Sequence, residues 1–357
     1  MGVRPRILFT CGREAQYTRN LLVLRALRQN CDVLEITDSR PGSLLQRHVR
    51  LLPRLLRALR GSFDLVFVGF YGFLLLQMLA RLTRKPLLFD AYLSTWDTLC
   101  FDRQLFAPRS IPGRLAYWLD QSTSLHASHT LLDTQEHCHY FTQAFSLGAD
   151  KVSPYYVGYD DRVFYPRAKP AMGNRFDVFF YGSFAPLHGV DTIVRAAKLL
   201  DGEGGIDIRV VGGGLTHETT RRLAESLGVR CLTFEPAVPY LELPERISEA
   251  NVCLGGPFGS NAKAGRVIAG KTFQFLAMAK PTIVADSPAN REVFEDLQDV
   301  LMCKSSDGQS LAAAIVQLRD DRDLREHIAR VGYEHCRARF NLETQAQAMS
   351  RVVSSLL

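Results

Sequence analysis

Short apolar runs recur along the whole chain, and each is followed by a segment long enough for a helix. In the first half the runs are Ile7–Thr10, Val33–Ile36, Leu65–Val68, Leu87–Phe89 and Val152–Val157; in the second half they are Val178–Tyr181, Ile208–Val211, Cys231–Phe234, Val252–Leu254 and Thr282–Ala285. Strands that alternate with helices are typical of parallel sheets covered by helices. Because the pattern occurs twice, the sequence predicts an α/β protein with two Rossmann-like, doubly wound lobes.

A stretch without apolar periodicity separates the two halves. Residues 166–174 contain two prolines and a glycine and predict a linker. The expected lobes are residues 1–165 and 175–335, and residues 336–357 predict a C-terminal helix that returns to the first lobe. Doubly wound sheets bind ligands beyond the carboxyl ends of their strands, so we expect the two lobes to face a cleft that holds the chemistry.

Positive charge is concentrated near the N-terminus. Residues 1–60 carry twelve arginines against four acids, although the whole chain has a net charge of only +6. No basic stripe is paired with aromatic side chains or a nucleic-acid-reading motif, which argues against a nucleic-acid partner. Within residues 44–60, arginines 47, 50, 54 and 57 share one face of a predicted helix and leucines occupy the rest. The pattern predicts either a helix that lies on an anionic membrane surface or a core helix with its arginines in water.

Targeting signals are not visible in the sequence. The eight cysteines are scattered without a CxxC pair, which favours reduced thiols, and the N-terminal apolar run is too short for a secretory signal. The longest nearly uncharged stretch, Leu65–Ala80, is shorter than a membrane span and predicts a strand followed by a helix. The expected location is the cytoplasm, with peripheral attachment at the inner membrane face.

Two segments in the second half have the composition of an anion-binding site. In the first, a strand ends at Tyr181, a polar turn contains Gly182, Ser183 and His188, and a helix follows. Such a junction offers free backbone N–H groups and the positive end of a helix dipole. In the second, Lys263, Gly265, Arg266 and Lys271 lie in a glycine-rich loop, and Gln274 lies one helical turn later. Three cations on flexible backbone suit a diphosphate, although solvated surface charges are the alternative.

Together with the intervening RVVGGG turn and the PTIVADSP strand, these segments resemble the nucleotide-sugar lobe of GT-B glycosyltransferases of the retaining family-4 type, also called glycosyl transferases group 1. The resemblance covers residues 176–345 and extends weakly to VGYDDRVFYP upstream. It implies a UDP-, GDP- or other nucleoside diphosphate sugar as donor, an acceptor hydroxyl bound by the first lobe, retention of anomeric configuration, and no metal or other cofactor. The acceptor is expected to be a glycan, a lipid-linked glycan or a small molecule.

The resemblance also assigns roles to individual residues. Lys271 matches a phosphate-binding lysine of the family, and Gln274 would contact the ribose. Arg266 and Gln274 stand where many members have two acids, while Ser183 and His188 stand where many have Arg and Lys. We therefore expect Lys271, Arg266 and His188 to be catalytic, and Gly182, Ser183, Lys263, Gly265, Lys271 and Gln274 to bind the donor.

Loops after strands of the first lobe contain the candidate acceptor residues. Gly12 follows the first strand, where the lack of a side chain would let another group come close to the backbone. Arg19 is a candidate phosphate or acceptor contact. Asp90 and Asp97 follow a later strand, where a polar loop rim is the alternative interpretation. Four histidines between residues 126 and 139 lack a standard zinc-ligand spacing, so no metal site is predicted.

Two alternatives to glycosyl transfer remain at this point. The missing acids at Arg266 and Gln274 are compatible with a protein that binds a nucleotide sugar without transferring it. A GT-B-like nucleotide-sugar epimerase would have a similar pair of lobes.

Overall fold

The computed structural model describes residues 4–168 and 175–357, so residues 169–174 of the predicted linker lie outside the described residues. The chain forms two compact units. Unit 1 consists of Met1–Val157 and Leu342–Leu357, and unit 2 consists of Gly158–Asn341. The last helix of the chain therefore packs as part of the unit in which the chain begins.

Twelve strands and fourteen helices, besides short turns of other helical types, make up the described residues. The strands are β1 (Arg6–Cys11), β2 (Asp32–Glu35), β3 (Leu65–Gly69), β4 (Leu87–Tyr92), β5 (His129–Leu132), β6 (Val152–Pro154), β7 (Phe176–Ser183), β8 (Ile206–Gly213), β9 (Leu232–Glu235), β10 (Val252–Leu254), β11 (Thr282–Asp286) and β12 (Leu301–Lys304). The helices are α1 (Thr18–Asn30), α2 (Leu44–Ala58), α3 (Phe73–Leu82), α4 (Thr95–Asp97), α5 (Ile111–His126), α6 (Gln135–Phe145), α7 (Val190–Leu200), α8 (His217–Leu227), α9 (Leu243–Glu249), α10 (Gly270–Ala277), α11 (Pro288–Arg291), α12 (Gly308–Asp320), α13 (Arg322–Arg339) and α14 (Leu342–Leu356).

Each unit is built on one six-stranded parallel sheet. The strand order is β2-β1-β3-β4-β5-β6 in unit 1 and β12-β11-β10-β7-β8-β9 in unit 2. This arrangement confirms the predicted α/β class with two doubly wound sheets. The sequence pattern did not predict β12, a four-residue strand whose apolar run ends at Lys304, but β12 is held by register pairing with β11.

In unit 1 the sheet separates two apolar layers. Successive side chains of a strand point to opposite faces, and β3, which is buried along its length, shows this alternation. Its Leu65 and Phe67 pack with α1 and α14, whereas its Val66 and Val68 pack with α2, α3 and α6. This division follows from right-handed crossovers between parallel strands, which put α1 on one face and the helices leading from β2 to β6 on the other.

Helix α2 corrects one prediction about the basic segment 44–60. Arg47 donates to Glu14, Arg50 to Asp38, and Arg54 to the backbone oxygen of Thr37. Arg47 and Arg50 therefore form ion pairs within unit 1 and are not free in water, while the membrane interpretation of this segment stays a prediction. Among the described residues, no helix combines the length and apolar character needed to cross a bilayer.

A buried ion pair joins α1 to the centre of the unit 1 sheet. The Arg19 guanidinium donates to both carboxylate oxygens of Asp90, at 2.8 and 2.9 Å, and to the backbone oxygen of Tyr155 at 2.7 Å. It also lies about 5 Å from the ring centroids of Tyr92 and Tyr155. Arg19 and Asp90 are almost fully buried, so each depends on the other to compensate its charge.

We predict that Asp90→Ala lowers the free energy of unfolding of unit 1 by about 3–5 kcal/mol, because it leaves the Arg19 charge buried and uncompensated. Denaturant unfolding would measure the change. The control is Glu326→Ala on α13, which removes an exposed ion pair with Arg322 and should cost at most about 1 kcal/mol. Equal stability of the two variants would contradict the structural role of the buried pair.

Candidate active site

The candidate site of unit 2 lies where the strand order reverses. From β7 the chain proceeds through β8 to β9 on one side of the sheet, whereas β10, β11 and β12 add on the other side. The loops that follow β7 and β10 therefore diverge from neighbouring strands at the carboxyl edge. In open α/β sheets this is the position where ligands bind.

Backbone hydrogen bonds hold the two loops against each other. The N–H groups of Phe258 and Gly259 donate to the carbonyl oxygens of His188 and Leu187. Gly189, the N-cap of α7, has a left-handed backbone with φ of 61°, and a Cβ there would lie 2.3 Å from the Phe258 carbonyl carbon. Only glycine permits this close approach, which explains the glycine after His188.

Lys271 is the central cation of the site. It is the second residue of α10 and only 5% exposed. Its Nζ lies 3.9 Å from the ring centroid of Phe180 and against the backbone of Gly182, where a Cβ would be only 3.0 Å away. Burial lowers the pKa of Lys271 to about 7, because an ammonium loses hydration inside protein. No carboxylate contacts Lys271 among the described residues, so its charge is uncompensated within the chain.

His188 lies beside Lys271. Its Nδ1 is 3.5 Å from Lys271 Nζ. Burial, together with the positive charges of Lys271 and Lys263, holds the pKa of His188 well below its ordinary value. The imidazole is therefore neutral at pH 7. Because an ammonium can only donate, Nδ1 accepts when Lys271 is protonated, and the ring proton is then on Nε2, where it can be donated to a ligand anion.

The remaining predicted donor residues have different surroundings. Lys263 is buried in the loop after β10, Gly265 and Arg266 are half-buried, and Ser183 is exposed at the end of β7. The carbonyl oxygen of Gly265 accepts from the N–H of Ala289 in α11, which anchors the loop. The structure brings Lys271 against both Gly182 and His188, and the electrostatic influence of Lys263 extends to His188.

Gln274 has a partner that the sequence analysis did not identify. Its side-chain oxygen accepts a hydrogen bond from the Tyr181 hydroxyl, which joins α10 to β7. Burial raises the pKa of Tyr181 well above its ordinary value, so the hydroxyl remains a donor. The Gln274 amide nitrogen is left as the group that could meet a ligand.

A groove at the carboxyl ends of β8 and β9 was also missed. It has a volume of about 540 Å³ and is lined by Gly212, Gly213, Gly214, His217, Arg221, Phe234, Glu235, Pro236 and Ala237. A Cβ at Gly212 would lie 2.1 Å from the Gly182 oxygen, so these glycines let the turns after β7 and β8 approach. The glycines of RVVGGG, which do not have the spacing of a dinucleotide-binding motif, are the sequence feature from which this groove could have been predicted.

Unit 1 has a corresponding cavity at its own strand-order reversal, between β1 and β3. Its volume is about 310 Å³, and it is lined by Gly12, Arg13, Glu14, Gly42, Leu44, Arg47 and Tyr71. The N–H groups of Gly12 and Arg13 both donate to the Phe70 oxygen, and a Cβ at Gly12 would lie 2.0 Å from the Tyr71 oxygen. Gly12 is thus a position of close backbone approach.

Three other predicted acceptor residues do not line this cavity. Arg19 and Asp90 form the buried pair described above, and this favours a structural role for both. Asp97 is buried in α4, where its N–H donates to the Ser94 side chain. Within the described residues, no group of three or more His, Cys, Asp or Glu side chains could hold a metal ion.

Comparisons with known proteins agree with this geometry. A family model described as glycosyl transferase-like matches residues 192–351. The chain is 28% identical over 166 residues to a lipopolysaccharide core biosynthesis glycosyltransferase of Rhizobium meliloti, covering 46% of each chain. It is also 28% identical over 189 residues to a GDP-mannose-dependent α-(1-6)-phosphatidylinositol monomannoside mannosyltransferase of Mycobacterium tuberculosis, covering 52% of this chain and 49% of the relative. The chain spans about half the length of these curated relatives.

Solved structures match over nearly the whole chain. Sucrose-phosphate synthase from Thermosynechococcus elongatus superimposes with a TM-score of 0.74 at 17% identity and covers 99% of both chains. The Anabaena protein HepE, in complex with UDP and glucose, gives 0.74 at 18% identity over 99% of this chain and 100% of that one. These are GT-B glycosyltransferases, so the protein has the GT-B fold.

We predict that Lys271→Met stabilises unit 2 at pH 7 and that this gain shrinks as the pH rises. The pKa of Lys271 is about 7 in the folded protein and near 10.4 in an unfolded chain. Between these values the unfolded state binds more protons, so the free energy of unfolding of the wild type rises with pH, by up to about 1.4 kcal/mol per pH unit. Denaturant titrations of both proteins at pH 7, 8 and 9 measure the difference. A difference that is constant over this range would contradict the lowered pKa.

Proposed function

We propose that the protein transfers a hexosyl group from a nucleoside diphosphate sugar to an acceptor hydroxyl, with retention of configuration. The observation that carries the proposal is the buried, uncompensated Lys271 beside the neutral His188. A buried ammonium without a counter-charge is costly unless a ligand supplies the counter-charge. A diphosphate is a ligand of the right charge, and the chain from residue 250 to residue 285 contains no aspartate or glutamate that would repel it.

The neighbouring groups fit the rest of such a donor. The ammonium of Lys271, assisted by Lys263 and Arg266, would neutralise the charge of the diphosphate, and the Nε2–H of His188 would donate a hydrogen bond to it. The groove beside Gly212 would take the nucleoside, because His217 and Phe234 offer ring surfaces there and glycines allow close backbone contact. The amide of Gln274 would then meet a ribose hydroxyl. The similar proteins include a GDP-mannose-dependent enzyme and a protein solved in complex with UDP, so both bases are candidates here.

The reaction would depend on charge neutralisation rather than on a metal ion. The bond between the anomeric carbon and the β-phosphate oxygen breaks as the acceptor oxygen bonds to the same face of that carbon. The acceptor proton passes to the leaving diphosphate. Negative charge grows on that diphosphate in the transition state, and preorganised cations in a buried site stabilise it at little reorganisation cost. Lys271 would serve the purpose that a divalent ion serves in other nucleotide-sugar enzymes.

We place the acceptor in the cavity of unit 1 beside Gly12. Arg13 lies over the rings of Tyr17 and Tyr71, 5.1 and 5.8 Å from their centroids. Arg47 at the cavity wall pairs with Glu14, whose pKa is lowered to about 2 chiefly by that hydrogen bond. Arg13 and Arg47 share the single carboxylate of Glu14, which leaves a net positive charge beside the aromatic rings and so suits a sugar that carries a phosphate. A glycan joined to a lipid through phosphate is the acceptor class that this cavity favours, and a soluble glycan or small molecule is the alternative.

We predict that Lys271→Ala lowers kcat by at least about 10²-fold, the scale of losing one oriented electrostatic contact in the transition state. Product formation from the donor that binds the wild type would be measured under saturation. The matched control is Lys198→Ala on α7, which removes an exposed lysine paired with Asp201 and should leave kcat unchanged. Near-normal turnover of the Lys271 variant would refute its proposed role.

The same assay separates the alternative functions. Donor binding by the wild type without product, across a wide range of acceptors, would favour a nucleotide-sugar-binding protein, a reading that the non-acidic Arg266 and Gln274 motivate. Conversion of the donor in the absence of any acceptor would favour an epimerase.

We predict that donor affinity falls as the pH rises above 7. A bound diphosphate stabilises the ammonium and raises the pKa of Lys271 above its free value of about 7. The affinity should therefore be constant below pH 7 and decrease up to about tenfold per pH unit above it, until the raised pKa is reached. The donor's own charge does not change, because its diphosphate is esterified at both ends. Calorimetric titration from pH 6 to 9 measures the profile, and Lys271→Met should flatten it.

A further inference from the structure

Exposed apolar side chains are concentrated on three helices of unit 1. Helix α2 exposes Leu45, Val49, Leu52 and Leu56 on one face and Leu44 at its first position, helix α3 exposes Leu74 and Leu82, and helix α5 exposes Ile111, Leu115, Trp118 and Leu125. Each set recurs at the spacing of one helical face, so every helix carries a single apolar stripe. The described part of unit 2 exposes only Tyr165 and four leucines among its large hydrophobic side chains. Both units have well-filled apolar cores. They differ in where their remaining large apolar side chains lie.

The three stripes lie on the same side of the sheet. Leu51 and Leu55 of α2 share an apolar cluster with Leu76 of α3, so both helices cover one face. Gln77 of α3 donates to the side-chain oxygens of Ser122 and Thr123 in α5, which joins the second pair of helices. The outer surfaces of α2, α3 and α5 therefore form one layer, which we call the helical face. Ile111 is 85% exposed and Trp118 is 50% exposed on it.

Exposed charge around the helical face is of one sign. Between residues 44 and 127 the exposed charged side chains are Arg54, Arg57, Arg60, Arg81, Arg84, Lys85, Arg103, Arg109 and Arg114. The same stretch contains five aspartates, of which four are buried and Asp64 is half-buried, where it accepts from the Arg6 N–H. No carboxylate is exposed in this part of the chain, all of which the structure describes. Apolar stripes are thus embedded in a purely cationic surface.

We propose that the helical face attaches the protein to the surface of an anionic lipid bilayer. Leucine, isoleucine and tryptophan side chains would enter the headgroup region, where tryptophan is favoured. The surrounding arginines would contact anionic headgroups, which attract basic residues close to the membrane. An acidic protein would match the charge, but a protein partner needs pockets for its anchoring side chains. A fluid bilayer needs no such pockets to accept the outward-facing apolar side chains of a row of helices.

The helical face differs from the membrane-binding helix predicted from the sequence. It includes α3 and α5, which lie outside the basic segment 44–60, and it involves different arginines. On α2 the exposed side contributes its apolar side chains with Arg54 and Arg57, while Arg47 and Arg50 are held within unit 1. The inference does not rest on the proposed glycosyl transfer, because it concerns groups that do not line the candidate donor site. Its test measures membrane binding alone.

The first test is co-sedimentation of the full chain with vesicles. Vesicles of phosphatidylcholine are compared with vesicles that contain roughly a third phosphatidylglycerol, at low and high salt, because the attraction is screened within about 10 Å at 0.1 M ionic strength. We expect binding to the anionic vesicles that weakens with salt. Replacing Arg103, Arg109 and Arg114 by Gln should lower the partition coefficient by about 10²-fold, since each surface cation contributes about fivefold. The control replaces Arg222, Arg322 and Arg330, exposed arginines of unit 2, and should not change binding.

The second test examines the apolar stripe. The double change Ile111→Ser with Leu115→Ser should lower the partition coefficient by at least about tenfold, whereas Leu199→Ser with Leu241→Ser, at exposed sites of unit 2, should not. Trp96 and Trp118 are the only tryptophans of the chain. Brominated lipid should quench the fluorescence of Trp118, and Trp118→Phe should abolish that quenching without loss of folding, because its side chain is exposed.

Three results would overturn the proposal. Absence of binding to anionic vesicles would leave an acidic protein as the occupant of the face. Equal binding to neutral and anionic vesicles would reject the role of the arginines. Quenching that persists in Trp118→Phe would show that another surface meets the lipid.

Discussion

The reversal of strand order in each parallel sheet is the constraint on which the candidate sites depend. A parallel strand ends at the same edge as its neighbours, and helices normally cover the connections that leave it. Only where consecutive connections run in opposite directions do two neighbouring loops separate and leave backbone groups accessible. In unit 2 this occurs between β7 and β10, beside Lys271 and His188, and in unit 1 between β1 and β3, beside Gly12 and Tyr71. The fold thus provides an opening at this position in each unit, and the loop sequences determine its chemistry.

Each unit buries a cation, but only unit 1 compensates its charge with a carboxylate. Arg19 has a carboxylate, a carbonyl oxygen and two aromatic rings around it, so its charge is satisfied within the chain. Lys271 has a neutral imidazole and an aromatic ring, and burial lowers its pKa accordingly. The first arrangement holds a helix on a sheet. The second stores an unfavourable charge that an anionic ligand can relieve, which is the usual exchange of stability for function at a binding site.

Unit 1 presents two different layers of helices. The layer of α1 and α14 packs its apolar side chains inward around β1 and β3. The layer of α2, α3 and α5 also fills its core, yet places a second set of large apolar side chains outward among arginines. Stability of the unit does not require this second set, since a leucine in water contributes nothing to the core. An outward apolar stripe surrounded by one sign of charge is therefore the feature of unit 1 that folding alone does not explain.

Much of this protein could be predicted from the sequence, because strands, helices and glycine-rich turns are local. The apolar runs predicted the positions of most strands, and the cations at Lys263, Arg266 and Lys271 marked a loop of unusual charge before any contact was known. A short strand such as β12 was not predicted, because its formation depends on pairing with the neighbouring strand β11. What only the tertiary structure decided is which distant residues meet: Arg19 with Asp90, 71 residues apart, and His188 with Lys271, 83 residues apart. Strand order determines such meetings, and strand order is a property of the packed sheet, since each run of the sequence specifies that it forms a strand but not which neighbour it pairs with.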